Sequence, residues 1–180
     1  MTRRPQVSVI GYDAKICTDA AYEAAYHVGS SLAKNGATLV TGGLGGVMEA
    51  ASKGARELHG LVIGIVPPDD ASVANRYCDV VIPSGMGFAR NFLVVNSGDA
   101  VIVVGGGAGT LTEAAAAYGK GKPLVAVRGT GGVADGWAGR YFDERKTVRV
   151  SGADTPEEAV AMALRAAKKK AKPTPSEYGM

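Results

Sequence analysis

The chain has 180 residues, 46% of them hydrophobic and 21% charged, which suits one well-buried globular domain and leaves little room for two. Its formal net charge of +3 lies wholly in Lys168, Lys169, Lys170 and Lys172 against Glu177, so residues 1–167 are balanced. That argues against a nucleic-acid binder, which carries its basic face on the folded body. Two cysteines far apart, Cys17 and Cys78, and two histidines, His27 and His59, offer no ligand set for zinc, so no metal and no resident cofactor are expected.

In chain order, short β-branched runs alternate with alanine-rich helical segments. Strands are predicted over 7–10, 38–40, 61–66, 80–82, 100–104, 123–127 and 147–150. Most are continuous apolar runs, the pattern of parallel strands covered on both faces. Helices are predicted over 19–35, 47–58, 87–97, 110–119 and 156–170. Ala21, Ala25, Val28 and Leu32 make one apolar stripe, closed by Asn35-Gly36. Val47, Ala51, Gly54 and Leu58 make a second, and Leu111, Ala114, Ala115 and Tyr118 a third. The last helix opens on Thr155-Pro156-Glu157-Glu158, a capping box with proline at the first helical position. The expected architecture is a Rossmann-like α/β fold: a doubly wound, mostly parallel sheet of about seven strands with helices on both faces. Residues 1–170 form the domain and 171–180 a flexible basic tail. Segment 129–145 is open to three readings: a loop, a short helix around Trp137, or an oligomer contact. With no apolar run of about 18 residues and no signal-peptide core, the cytoplasm is the expected compartment and no membrane contact is foreseen.

Glycine is the compositional outlier: 26 residues, about double the average share of ~7%. Two clusters sit at strand-to-helix turns, Gly42-Gly43-Leu44-Gly45-Gly46 and Gly105-Gly106-Gly107-Ala108-Gly109-Thr110. In open parallel sheets, ligands bind beyond the carboxyl ends of the strands. Turns without Cβ atoms admit a ligand close to the backbone, and the helix that follows offers free N–H groups and a partial positive charge to phosphate. Gly42, Gly43, Gly45, Gly46, Gly105, Gly106, Gly107, Gly109 and Thr110 are therefore the candidate phosphate or nucleotide contacts. Neither cluster matches GxGxxG or GxxxxGK[ST], and no GxSxG elbow is present, which disfavours dinucleotide oxidoreductases, P-loop NTPases and α/β-hydrolases.

Thr110 and Glu113 have capping-box spacing, which alone accounts for Glu113. On the helical wheel, however, Glu113 lies about 200° from Leu111 and faces the ligand end of the helix. Arg90 stands where a helix begins, a place unfavourable to cations, so either an anionic partner or plain solvation explains it.

Gly106-Gly107-Ala108-Gly109-Thr110-Leu111-Thr112-Glu113 matches GGxGTxxE, and Gly42 to Met48 resembles GGxxGLM. Together they resemble the Lonely Guy (LOG) family of cytokinin-activating phosphoribohydrolases over roughly residues 7–130. The resemblance implies a Rossmann-like fold, a homodimer, and a nucleoside 5′-monophosphate cleaved to base and ribose 5-phosphate. It implicates Glu113 and Arg90 in catalysis. The chain departs from that pattern at Gly105, where those enzymes usually have proline, and at Asn91, where they have lysine after the arginine. In these departures it looks more like a branch near the molybdenum-cofactor carrier proteins of algae, which bind the cofactor without catalysis. The leading expectation is a hydrolase acting on a nucleoside 5′-monophosphate, and its alternative a non-catalytic carrier using the same cleft. Lysine decarboxylation is not expected, since no lysine has a pyridoxal-phosphate context.

Overall fold

A computed structural model describes residues 3–170; the predicted tail at 171–180 lies outside the described residues. The elements run β1 (Gln6–Gly11), α1 (Asp19–Lys34), β2 (Thr38–Thr41), α2 (Val47–Glu57), β3 (Val62–Val66), β4 (Val80–Pro83), α3 (Arg90–Ser97), β5 (Ala100–Val104), α4 (Ala108–Gly119), β6 (Leu124–Val127), α5 (Gly132–Trp137), β7 (Val150–Ala153) and α6 (Pro156–Lys170). All six strand pairings are parallel, in the order β4-β3-β2-β1-β5-β6-β7. This is the doubly wound α/β sheet expected from the alternation of elements.

The period of two along each strand sorts side chains between two cores. Ala100, Ile102 and Val104 of β5 face α1, α2 and α6, while Val101 and Val103 face α3, α4 and α5. Every residue of β5 is buried, as a central strand covered on both faces must be. Each fully buried leucine or isoleucine here, such as Leu32, Leu39 and Ile102, contributes ~1.5–3 kcal/mol relative to exposure.

The first helix keeps its predicted stripe: Ala21, Ala25, Val28 and Leu32 have no exposed surface. It packs tightly on α2 because glycines meet backbone there. A Cβ at Gly29 would strike the Ala51 carbonyl, and one at Gly54 the Tyr26 carbonyl. The capping signal of α6 also forms: Glu158 N–H donates to Thr155 Oγ1 at 3.1 Å, and Glu158 accepts from Asp154 N–H at 2.8 Å.

Four expectations need correction. The seventh strand is Val150–Ala153 rather than 147–150, because its ladder starts where Leu124 of β6 pairs with Val150. The helix predicted from 110 starts at Ala108, with Gly107 as its N-cap, so Thr110 and Glu113 form no capping box. The buried face of that helix is Thr110, Glu113, Ala114, Ala117 and Tyr118, whereas Leu111 and Ala115 are exposed. The helix sits over β5 by its alanines, and apolarity alone placed Leu111 on the wrong side. Likewise Leu58 lies past the end of α2 and is exposed. Segment 129–145, open in sequence, contains α5 and an aromatic stack of Trp137 on Phe142 with ring centroids 4.2 Å apart.

Candidate functional site

Strand order reverses between β1 and β5, and there a cleft of about 380 Å³ opens at the carboxyl ends of the strands. Its walls come from the end of β1, the turns before α2 and α4, and the start of α3. Parallel pairing of β1 with both β2 and β5 brings the two glycine clusters to this one opening. Of the predicted residues, Gly42, Arg90, Gly107, Gly109, Thr110 and Glu113 line the cleft. Gly43, Gly45, Gly46, Gly105 and Gly106 stand behind it and shape the turns.

Their supporting roles are visible in the backbone. Gly43 (φ +73°) packs on β3, with Val66 Cγ1 only 2.7 Å from where a Cβ would lie. Asn75 braces the same turn, donating from its N–H to Gly43 O at 2.8 Å and from Nδ2 to Leu44 O at 3.0 Å. The second cluster is held by a third glycine turn, 129–132. Gly105 N–H donates to Thr130 Oγ1 at 2.8 Å, while Gly106 and Gly105 carbonyls accept from Val133 and Ala134 at 2.9 and 3.0 Å. Gly105 (φ +59°) and Gly132 (φ +52°) both lie against the Tyr12 side chain, leaving no room there for a Cβ. Tyr12 also accepts from Val47 N–H at 3.0 Å, so one residue touches all three turns. Tyr12, Asn75 and Thr130 carry no motif of their own and were not singled out by the sequence.

Thr110 Oγ1 donates to Gly11 O at 2.9 Å, fastening α4 to the end of β1 across the point of reversal. No side chain caps α4, so its leading N–H groups at Ala108, Gly109 and Thr110 are directed to the cleft they line. Arg90 opens α3 and reaches under Gly42, where a Cβ would collide with its Nη1 and stand 2.6 Å from Met48 Sδ. Asp13, Ile16, Phe88 and Asn91 complete the walls.

Arg90, Asn91 and Glu113 are only 7%, 8% and 8% exposed, yet none of these side chains hydrogen-bonds to another described group. Arg90 Nε is buried outright without a partner. Burial pushes the Glu113 carboxyl up to about 7, against the pull of the Arg90 charge. Burial likewise lowers the Arg90 guanidinium, which Glu113 opposes. Buried polar groups are nearly always paired in folded proteins, so the orphaned Arg90 Nε, with the solvent-reached polar atoms of Asn91 and Glu113 beside it, marks a place for a polar ligand. Among the described residues, no cluster of three or more His, Cys, Asp or Glu could hold a metal, and no helix is long and apolar enough to cross a membrane.

The model of the SLOG cluster4 family matches residues 4–160. An uncharacterized protein of Archaeoglobus fulgidus is 45% identical over 123 residues, 68% of this chain and 80% of its own. The X-ray structure of TM1055 superposes with a TM-score of 0.82 at 36% identity, covering 89% of this chain and 99% of that one. The molybdenum cofactor binding protein of Rippkaea orientalis superposes with a TM-score of 0.77 at 31% identity over 92% and 98% of the two chains. The molybdenum cofactor carrier protein of Chlamydomonas reinhardtii gives 0.80 at 30% identity over 91% and 98%.

Proposed function

The chain belongs to the SLOG cluster4 family, and on that premise we propose that its cleft holds a phosphorylated small molecule of the molybdenum-cofactor class and carries it without cleaving it. The observation that supports this best is the buried, unpartnered Nε of Arg90, in a cleft shared with Asn91, Glu113 and the uncapped start of α4. A phosphate seated there receives N–H groups from Ala108 to Thr110 and a guanidinium from Arg90. Gly107 and Gly109 keep its path free of side chains, and Gly42 makes room for Arg90. Gly43, Gly45, Gly46, Gly105 and Gly106 hold the turns in shape behind it. Similarity to the molybdenum cofactor binding and carrier proteins, at 31% and 30% identity, favours a carried cofactor over a cleaved nucleotide.

A second reading, a phosphoribohydrolase acting on a nucleoside 5′-monophosphate, has one observation in its favour. Glu113 near neutrality beside Arg90 is suited to proton transfer at physiological pH and to stabilising an oxocarbenium-like transition state. A second copy of the chain would cover the apolar surface left by Val80 and Ile82 on β4 and Phe92 on α3, each 44–45% exposed.

Titrating the full chain with molybdenum cofactor and AMP, and separating any free base by chromatography, tests both readings. Tight cofactor binding with no base released from AMP supports the carrier. Base release that disappears in Glu113→Ala overturns it in favour of the hydrolase. Failure of both compounds to bind overturns the phosphate cleft itself.

A further inference from the structure

Two features of the cleft are left over once the phosphate is placed. Phe88, in the short 3₁₀ turn Gly87–Ala89, is 65% exposed, the most exposed large hydrophobic side chain among the described residues. Its Cε2 lies 3.8 Å from where a Cβ on Gly109 would be, so the ring borders the helix start that takes the phosphate. Ile16 is 53% exposed, and its Cδ1 lies 3.3 Å from the corresponding point on Gly107. Both side chains line the cleft, offering it apolar surface at the edge of its most polar part. Asn91 is the second feature: a largely covered residue next in sequence to Arg90, lining the same space, whose amide bonds to no described group and opens to solvent.

An amide presents a carbonyl acceptor and N–H donors side by side and carries no charge. It is therefore matched to a neutral edge with an adjacent donor and acceptor, such as a lactam of a purine or pterin, and poorly matched to a second anionic group. An aromatic side chain left open to solvent at a cleft mouth suits a flat ring, since every base or pterin has a π-face to stack. The cavity of about 380 Å³ is at the small end of the usual ligand range of ~300–1,000 Å³, which suits one ring system and its phosphate arm.

We infer that Phe88 and Asn91 are the specificity-determining residues of the cleft: Phe88 covers the face of a heterocycle and Asn91 reads its lactam edge, while Arg90 and the α4 turn take the phosphate. The inference rests on the phosphate reading above and adds the ring to it.

Calorimetric titration of the full chain with GMP and with ribose 5-phosphate separates ring from phosphate. GMP binds at least ~10-fold tighter than ribose 5-phosphate, given the usual strength of base stacking on an aromatic side chain. Phe88→Ala and Asn91→Leu each remove most of that advantage and leave ribose 5-phosphate within about two-fold, on the same stacking scale. Equal affinity for the two probes in the unaltered protein, or variants that weaken both probes alike, overturns the ring subsite and leaves the phosphate cleft standing. If neither probe binds, the phosphate reading falls and this inference with it. Phe88 is exposed, so Phe88→Ala retains the fold and carries the test if Asn91→Leu fails to fold.

Discussion

Replacing Arg90 by methionine should raise stability and weaken ligand binding together, a pairing that a structural arginine would not produce. Arg90 is 7% exposed and its Nε is buried with no acceptor. A buried donor without a partner costs ~1–3 kcal/mol, and more when charged. Methionine fills much of the same space with a flexible apolar chain. Arg90→Met is therefore expected to stabilise the unliganded protein by about 1–3 kcal/mol. For a chain of this size each kcal/mol moves Tm by ~2–4 °C, so the melting point rises by several degrees. Glu113 does not offset the gain. Without the Arg90 charge its carboxyl rises further above about 7 and is neutral at pH 7. Ligand binding moves the other way. A hydrogen bond from a charged donor to phosphate is worth ~1.5–3 kcal/mol, so its loss weakens binding roughly ten- to hundred-fold. Thermal melts of both proteins, with and without a phosphorylated ligand at about 100 times its Kd, read both effects, because binding at that ratio adds ~2.7 kcal/mol. A variant that melts lower than the parent and is still stabilised by ligand would refute the reasoning.

Glu113 gives a pH-dependent counterpart. Its carboxyl is raised from 4.5 to about 7, so the native state binds its proton more tightly than the unfolded chain does. The stability from this residue is full below about pH 4.5 and is lost as pH rises through 7, a change on the order of a few kcal/mol. Glu113→Gln should match the parent at pH 4 and be more stable at pH 8 by chemical denaturation; an equal difference at both pH values would contradict the burial argument. Gly54→Ala tests the α1–α2 contact. Helix propensity alone favours alanine by ~1 kcal/mol, whereas the added Cβ strikes the Tyr26 carbonyl and stands 2.9 Å from Ser30 Oγ, a clash worth ~1–3 kcal/mol. Net destabilisation in urea is expected, and a gain would show that the helices separate freely.

What the sequence made legible follows from how local each signal is. The stripe Ala21-Ala25-Val28-Leu32 and the Thr155–Glu158 cap are written within one or two turns of chain, and both appear as read. The burial of Glu113 was not legible, because it depends on where α4 begins. Moving the N-cap three residues, from Thr110 to Gly107, turns a capping-box glutamate into a second-turn residue inside the cleft. Leu111 misled for the converse reason: its apolarity implies burial, but the small Ala114 and Ala117 let the opposite face of α4 approach the sheet. Tyr12, Asn75 and Thr130 were invisible because each acts across a gap in sequence. Thr130 is 25 residues from the glycine it holds, and Asn75 is 31 from the carbonyl it caps. The exposure of Phe88 is likewise a tertiary fact.

The left-handed peptide at Gly105 has a use in sorting relatives. A pyrrolidine ring cannot take φ near +59°, has no N–H for Thr130, and would intrude on the Tyr12 ring. A relative with an imino acid at this position must therefore build the far wall of its pocket differently, with the loop after the sixth strand released from that bond. One aligned column, read together with the columns of Tyr12 and Thr130, thus divides chains whose pocket wall is tied from those in which it is loose.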